Sequence, residues 1–171
     1  MKALVVVDYQ NDFVDGKLGF AGAEKIEDNI LKLIQDFRKN NDLVMFTMDT
    51  HFDDYMSTVE GNHLPVPHCL KGSEGHRLRK RIEEVSNDSL IFEKHTFPSL
   101  ELANKLQELN PNEIHLCGLV SDICVFANAV MAKAACPNSE IYIHKSASDS
   151  YDKEMEKKTY EVASHLHINI I

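Results

Sequence analysis

The sequence KALVVV, Lys2–Val7, is a short β-branched run typical of a strand that is buried on both faces of a parallel sheet. The segment Lys25–Lys39 that follows it places apolar side chains at helical spacing. The next apolar run, LVMFTM at Leu43–Met48, is again typical of a strand. A strand, a helix and a second strand in this order predict two parallel strands joined by a right-handed crossover.

The same alternation of strands and helices continues to the end of the chain. Four more strands are predicted, at Ser89–Phe92, Glu113–Cys117, Glu140–His144 and His167–Ile171. Four more helices are predicted, at Gly75–Val85, Leu100–Leu109, about Asp122 to Ala134 and Lys153–Ser164. The pattern predicts an α/β fold, a three-layer α/β/α sandwich with a central, mainly parallel sheet of about six strands. We expect residues 1–171 to form a single domain, because this length suits one core and not two.

Composition and charge exclude several classes of protein. The net charge of −9 is opposite to the excess of Lys and Arg that nucleic-acid binding requires. No apolar run approaches the ~20 residues of a membrane-spanning helix, and the N-terminus lacks the pattern of a signal peptide. The four cysteines have irregular spacing, which favours free thiols over a disulfide framework. We therefore expect a cytoplasmic protein that binds neither nucleic acid nor membrane.

Reactive side chains follow the ends of four predicted strands. In chain order they are Asp8, Asp49 with His51 two residues on, Lys94 and Cys124. Because ligands bind beyond the carboxyl ends of parallel strands, these groups are expected at one edge of the sheet. Each residue alone has a simpler explanation, such as a helix cap, a solvated lysine or a core thiol. Their convergence on one edge favours a catalytic site.

Three of these groups suit nucleophilic catalysis. The helix predicted to begin near Asp122 and the ammonium of Lys94 are both expected to lower the pKa of the Cys124 thiol and to favour its nucleophilic thiolate. Asp8 is then available to take the thiol proton and to return it to a departing amine. Backbone N–H groups around Cys124 are candidates to hold the oxyanion of a tetrahedral intermediate.

The remaining groups indicate a metal site. Residues i and i+2 of an extended chain point to the same side, so Asp49 and His51 can reach one ion. His68 could supply a third ligand from the long segment between His51 and Ser73, whose length favours an ordered, functional loop. An Asp-x-His pair also occurs by chance, so solvated surface histidines are the alternative.

Five blocks of the sequence, taken together, resemble a known family. They are VVVDYQNDF (Val5–Phe13), MDTH (Met48–His51), PHCLKGSEG (Pro67–Gly75), EKHTF (Glu93–Phe97) and GLVSDICV (Gly118–Val125). In this order, and over nearly the whole chain, they are similar to the isochorismatase-like cysteine hydrolases, and within them to the nicotinamidase/pyrazinamidase branch.

The resemblance implies roles for individual residues. Asp8, Lys94 and Cys124 match the catalytic triad of the family. Val120 and Cys124 match the positions whose backbone N–H groups form the oxyanion hole, and in the family the peptide bond before the first of them is cis. Phe13 matches an aromatic residue that lines the substrate pocket.

The resemblance also implies a cofactor. Asp49, His51 and His68 match the metal ligands of the nicotinamidase branch, which holds one divalent ion of zinc, iron or manganese. We expect zinc. The fourth ligand position varies in the family; Glu60 is the best match here, and His63 is the substitute.

The implied function is that of a metal-dependent cysteine amidohydrolase. Such an enzyme converts a small carboxamide, here nicotinamide, to the acid and ammonia through a thioester, which implies a part in NAD metabolism and assembly as a homo-oligomer. One departure leaves the substrate open: Pro65–Val66–Pro67 stands where nicotinamidases commonly carry an aromatic residue, which argues against a ring-stacking pocket. Sister enzymes that cleave ureidoacrylate or N-carbamoyl compounds, and isochorismatase itself, are therefore alternatives.

Two further alternatives lie outside this class of enzyme. A non-catalytic binding module on the same scaffold is disfavoured, because Asp8, Lys94 and Cys124 are all present. A cysteine-based redox protein is disfavoured by the lack of a resolving cysteine close to Cys124, although Cys117 is only seven residues away.

Overall fold

The computed structural model describes residues 1–171 and confirms an α/β fold around one six-stranded sheet. The strands are β1 (Lys2–Val7), β2 (Leu43–Asp49), β3 (Leu90–Lys94), β4 (Glu113–Leu119), β5 (Glu140–Asp149) and β6 (Ile168–Ile170). They lie in the order β3-β2-β1-β4-β5-β6, and every neighbouring pair is parallel. The chain moves outward in one direction from β1 to β3 and in the other from β4 to β6, so the switch point lies between β1 and β4.

Seven helices surround the sheet. They are α1 (Asn11–Val14), α2 (Glu27–Lys39), α3 (Val59–His63), α4 (Lys80–Glu84), α5 (Leu100–Leu109), α6 (Phe126–Ala135) and α7 (Lys153–His165). Short 3₁₀ turns occur at Ala23–Ile26 and Tyr55–Ser57, and a π-helical turn at Ser121–Val125 leads into α6. No helix has the length and apolar character needed to cross a membrane.

Strand β1 contributes to a hydrophobic core on each face of the sheet. Leu4 and Val6 pack in one core together with residues of α2. Val5 and Val7 pack in the other core, together with residues of α5, α6 and α7. Alternate side chains of a strand point to opposite faces, so a strand covered on both sides needs an apolar residue at every position. Ala3 to Val7 meet this requirement, whereas Lys2 at the start of the strand is exposed.

The helix predicted at Gly75–Val85 is mostly absent, since only α4 at Lys80–Glu84 is helical. The backbone before it pairs with the segment after β1 instead: Asp12 N donates to the Gly75 carbonyl at 3.0 Å, and Asn11 N donates to the Arg77 carbonyl at 2.9 Å. These carbonyls therefore accept hydrogen bonds from a distant segment and not from the N–H groups of a following helical turn. This pairing fastens the long loop after β2 to the end of β1.

Candidate active site

Four of the predicted site residues meet at the carboxyl edge of the sheet. Asp8 directly follows β1, and Asp49 and Lys94 are the last residues of β2 and β3, where they pair in register. Cys124 lies in the π-helical turn after β4. All four residues are buried. They therefore lie around the switch point, where ligands bind in open α/β sheets.

The ammonium group of Lys94 lies at the centre of the site. It is 2.6 Å from Asp8 Oδ2 and 3.2 Å from Asp49 Oδ1, and it donates to the Thr96 carbonyl at 3.0 Å. The Cys124 Sγ is 3.7 Å from the same nitrogen. Burial alone lowers the pKa of Lys94, but the charge of Asp8 and the other acidic neighbours outweighs burial and holds this pKa well above its usual value. Lys94 is therefore a buried cation, and the interpretation as a solvated surface lysine is wrong.

Asp8 is held by β2 as well as by Lys94. The Thr47 hydroxyl donates to Asp8 Oδ1 at 2.6 Å, and the Asp8 backbone N–H donates to the Thr47 carbonyl at 3.2 Å. Burial raises the pKa of Asp8, and Asp49 adds to this effect, while Lys94 and Thr47 oppose it. A raised pKa brings a carboxyl group closer to the neutral range in which it can both take and return a proton.

The Cys124 thiol has a raised pKa, contrary to the expectation from the sequence. Burial raises the pKa of Cys124 well above its usual value, and the ammonium of Lys94 opposes this shift without overcoming it. The expectation of a lowered pKa is wrong because desolvation of the thiolate dominates and because Lys94 already faces two carboxylates. The raised pKa favours the thiol form, so a nucleophilic role of Cys124 would require a base that removes its proton.

The residues expected at the oxyanion hole lie on the same turn. The Leu119–Val120 peptide bond is cis, as the resemblance implies. Val120 and Cys124 both line the cavity described below. Just before them, Gly118 has a φ of 117°, and a Cβ at this position would lie 2.0 Å from the Val7 carbonyl oxygen. Only glycine therefore lets β4 pass β1 closely enough to bring this turn beside Asp8.

Four side chains next to the triad form a cluster suited to a metal ion. One ligand atom from each of Asp49, His51, Glu60 and His68 lies within 4.8 Å of the others. His51 Nε2 is 3.0 Å from Asp49 Oδ2 and 3.5 Å from Glu60 Oε1. His68 Nε2 is 3.2 Å from Asp49 Oδ2 and 3.6 Å from Glu60 Oε1. Neighbouring ligands of a tetrahedral zinc ion with bonds of ~2.0–2.1 Å are about 3.3–3.5 Å apart. The donor set fits such an ion.

The charges in the site also fit a divalent cation. Asp8, Asp49 and Glu60 carry three negative charges when ionised and Lys94 carries one positive charge, so the net charge is −2 with neutral imidazoles. Burial, followed by the charge of Asp49, raises the pKa of Glu60. Glu60 Oε2 is buried without a hydrogen-bond partner. A divalent cation would neutralise this buried excess of negative charge.

The loop that carries His68 is firmly held. His68 Nδ1 lies 2.8 Å from the Val66 carbonyl oxygen and must donate to it, which leaves Nε2 with the lone pair that a metal ion requires. The next residue, Cys69, donates its backbone N–H to Asp12 Oδ2 at 2.7 Å. Asp12 lies just beyond β1, so this loop is held at the same edge of the sheet as Asp8, Asp49 and Lys94.

The structure distinguishes the two residues considered for the fourth ligand position. Both lie on α3, which begins at a Thr58 cap whose hydroxyl accepts from Gly61 N at 3.0 Å. Glu60 joins the cluster, whereas His63 is exposed and lies outside it. The best match by sequence is therefore also the residue that the geometry favours.

A cavity of about 400 Å³ opens onto Cys124 and the metal cluster. Its lining is mainly apolar and includes four aromatic residues, namely Phe13, Phe20, Phe97 and Tyr151. Phe13 lies here as expected, with its ring centroid 5.6 Å from that of His68. Sequence reasoning missed the other three, which come from separate loops and show no common spacing. The cavity therefore has aromatic walls although no aromatic residue stands directly before His68.

The isochorismatase domain model matches residues 2–171, so the chain belongs to the isochorismatase family. Within this family the fold and its relatives define an amide-hydrolysing enzyme. More particularly, the chain is an isochorismatase-family amidohydrolase similar to nicotinamidases and pyrazinamidases.

Three relatives illustrate the similarity. The isochorismatase family protein PncA of Bacillus subtilis (strain 168) is 36% identical over 166 residues, which cover 90% of this chain and 88% of that protein. The crystal structure of nicotinamidase/pyrazinamidase PncA from Bacillus subtilis has a TM-score of 0.88 at 31% identity and covers 99% and 98% of the two chains. Pyrazinamidase of Pyrococcus horikoshii in complex with zinc has a TM-score of 0.88 at 26% identity, with the same coverage.

Proposed function

We propose that this protein is a metal-dependent cysteine amidohydrolase that converts nicotinamide to nicotinate and ammonia. One observation carries the proposal: the buried trio of Asp8, Lys94 and Cys124 lies beside a cluster of metal-ligating side chains, and both border one aromatic-lined cavity. The cavity suits a flat heteroaromatic ring, and the thiol on its wall suits attack on a carboxamide attached to that ring. The similarity to nicotinamidases supports the same substrate.

In the first half of the proposed reaction Cys124 replaces the amine. The Cys124 sulfur forms a bond to the carbonyl carbon as its proton passes to Asp8, and the carbonyl oxygen becomes an oxyanion held by the N–H groups of Val120 and Cys124. The C–N bond then breaks, and the departing nitrogen takes the proton from Asp8 and leaves as ammonia. A thioester remains on Cys124.

In the second half a water molecule replaces the sulfur. Asp8 takes a proton from the water while the water oxygen forms a bond to the thioester carbon. The C–S bond then breaks and the acid is released. The proton on Asp8 then returns to Cys124. Lys94 keeps its proton throughout, because it faces the carboxylates of Asp8 and Asp49. Its positive charge stabilises the Cys124 thiolate and the Asp8 carboxylate in turn.

In the same proposal Asp49, His51, Glu60 and His68 hold one divalent ion, which we take to be zinc, with iron or manganese as alternatives. When bound, the ion supplies a Lewis-acidic centre that can orient a ring nitrogen of the substrate beside Asp8, Lys94 and Cys124. The zinc in the Pyrococcus horikoshii relative supports this choice.

We further propose a cytoplasmic, single-domain protein that assembles as a homo-oligomer. All four cysteines are free and buried, which fits a reducing compartment. Exposed apolar side chains on the edge strand β3, Leu90 and Ile91, fit self-association. Light scattering during gel filtration measures the assembly state.

The substrate proposal predicts a clear preference in a panel of amides. Nicotinamide is expected to release ammonia faster than ureidoacrylate or N-carbamoyl compounds, because its planar ring fills the aromatic-lined cavity and a ureido group does not. The measurement is kcat/KM for ammonia release at a fixed enzyme concentration, with isochorismate followed separately. Faster turnover of a ureido or N-carbamoyl substrate would reject nicotinamide as the substrate and keep the amidohydrolase class.

The metal proposal predicts close to one zinc, iron or manganese ion per chain in the purified protein. Replacing both His51 and His68 by alanine is expected to remove this ion, since two of the four ligands are lost. Elemental analysis by mass spectrometry measures it. Glu60→Gln is expected to weaken metal retention, whereas His63→Ala, an exposed residue of the same helix, is the matched control and should keep the ion. Loss of the ion in His63→Ala with retention in Glu60→Gln would reject this ligand set.

A further inference from the structure

Thr47 touches the general base of the site although no part of the mechanism above uses it. Thr47 lies on β2 opposite Val7, with no exposed surface. Its hydroxyl lies 2.6 Å from Asp8 Oδ1, and its carbonyl accepts the Asp8 backbone N–H at 3.2 Å. One residue therefore holds both the backbone and the side chain of Asp8.

The two oxygens of Asp8 have different partners. Oδ1 accepts from the Thr47 hydroxyl, while Oδ2 faces the ammonium of Lys94 at 2.6 Å. A carboxylate only accepts hydrogen bonds and a hydroxyl has a single proton, so the Thr47 proton must point at Oδ1. The structure offers that buried proton no other acceptor. A proton added to Oδ1 would compete with this hydrogen bond, whereas Oδ2 accepts no hydrogen bond, although the Lys94 ammonium lies 2.6 Å from it.

We propose that Thr47 is a positioning residue that reserves Asp8 Oδ2 for the proton taken from Cys124. In this step the S–H bond breaks, its electron pair stays on sulfur, and an O–H bond forms at Oδ2; the same proton later leaves with ammonia. Oδ2 is the oxygen on the side of Lys94, whose Nζ lies 3.7 Å from Cys124 Sγ. Thr47 thereby also fixes the rotation of the carboxylate, with Oδ2 on the side of Lys94. This inference rests on the proposed roles of Asp8 and Cys124.

The test compares Thr47→Val with Thr47→Ser. Valine keeps the β-branched shape and removes the hydroxyl, whereas serine keeps the hydroxyl. Thr47→Val is expected to lower kcat by about 10- to 100-fold with little change in KM, the range for losing a hydrogen bond to a charged group. It should also slow the alkylation of Cys124 by iodoacetamide, which needs no substrate. Thr47→Ser is expected to restore both rates to within about threefold of wild type.

Further variants keep the test decisive. Thr47→Ala also removes the hydroxyl, with a smaller side chain, and is expected to show the same loss of kcat. It replaces Thr47→Val in the test if the valine variant fails to fold. Thr159→Val, a buried threonine on α7, is the matched control and should leave both rates unchanged. Wild-type rates in Thr47→Val, equal losses in the serine and valine variants, or a change in KM alone would each overturn the inference. Cys124→Ala separates the two proposals, because hydrolysis that survives it rejects the triad whatever Thr47 does.

Discussion

Replacing Cys124 by alanine is expected to abolish amide hydrolysis while the protein stays folded. Cys124 is the one cysteine that lines the aromatic-walled cavity, and its sulfur lies 3.7 Å from Lys94 Nζ. Without this sulfur no thioester can form, so turnover should fall by about 10⁴-fold or more. Ammonia release measures the rate, and a thermal melt close to that of wild type shows that the fold is retained.

A matched variant makes this prediction specific to the nucleophile. Cys136→Ala removes another buried cysteine, at the end of α6 and away from the cavity, and should leave the rate unchanged. Iodoacetamide is expected to label Cys124 before the other three cysteines, because only Cys124 is reached from the cavity. Full turnover in Cys124→Ala, or first labelling at Cys69 or Cys117, would contradict the mechanism.

Replacing Lys94 by methionine is expected to cut turnover by something like 10²-fold or more. The ammonium of Lys94 lowers the pKa of Cys124 against the effect of burial, so its loss should raise that pKa further. Thiolate then forms only at higher pH, and the curve of iodoacetamide labelling against pH should move to higher pH. The variant also leaves Asp8 and Asp49 buried without their cation, which should cost about 3–5 kcal/mol in the free energy of unfolding.

An exposed lysine supplies the control for this variant. Lys158 forms an ion pair with Glu154 on the surface of α7, so Lys158→Met should change the free energy of unfolding by less than ~0.5 kcal/mol and leave the rate untouched. Superimposable labelling curves for wild type and Lys94→Met would mean that Lys94 does not influence the thiol. The triad would then need a different cation.

Local sequence patterns were sufficient to predict the sheet and its reactive edge. The run KALVVV predicts a strand covered on both faces, and the alternation that follows predicts parallel strands. Parallel strands end at a common edge, so the residues after each run, from Asp8 to Cys124, are brought together without any knowledge of long-range contacts. The gathering of Asp8, Asp49, Lys94 and Cys124 was therefore predictable.

Other features depend on contacts between distant segments. Gly75 and its neighbours have a helical pattern, but their carbonyls accept hydrogen bonds from the chain after β1, so most of that helix does not form. Phe20, Phe97 and Tyr151 come from separate loops and become one cavity wall only in the folded chain. No local spacing encodes such a meeting, because each residue is equally compatible with a solvated loop.

The electrostatics of the site are also a property of the folded chain. Residue types near Cys124 predict a lowered thiol pKa, yet burial reverses the direction, since desolvation depends on every atom packed around the sulfur. The choice of Glu60 over His63 has the same origin, because two residues one turn apart on α3 face different surroundings. Periodicity predicts which groups reach the edge of the sheet, while three-dimensional packing sets their charge, their partners and the cavity they share.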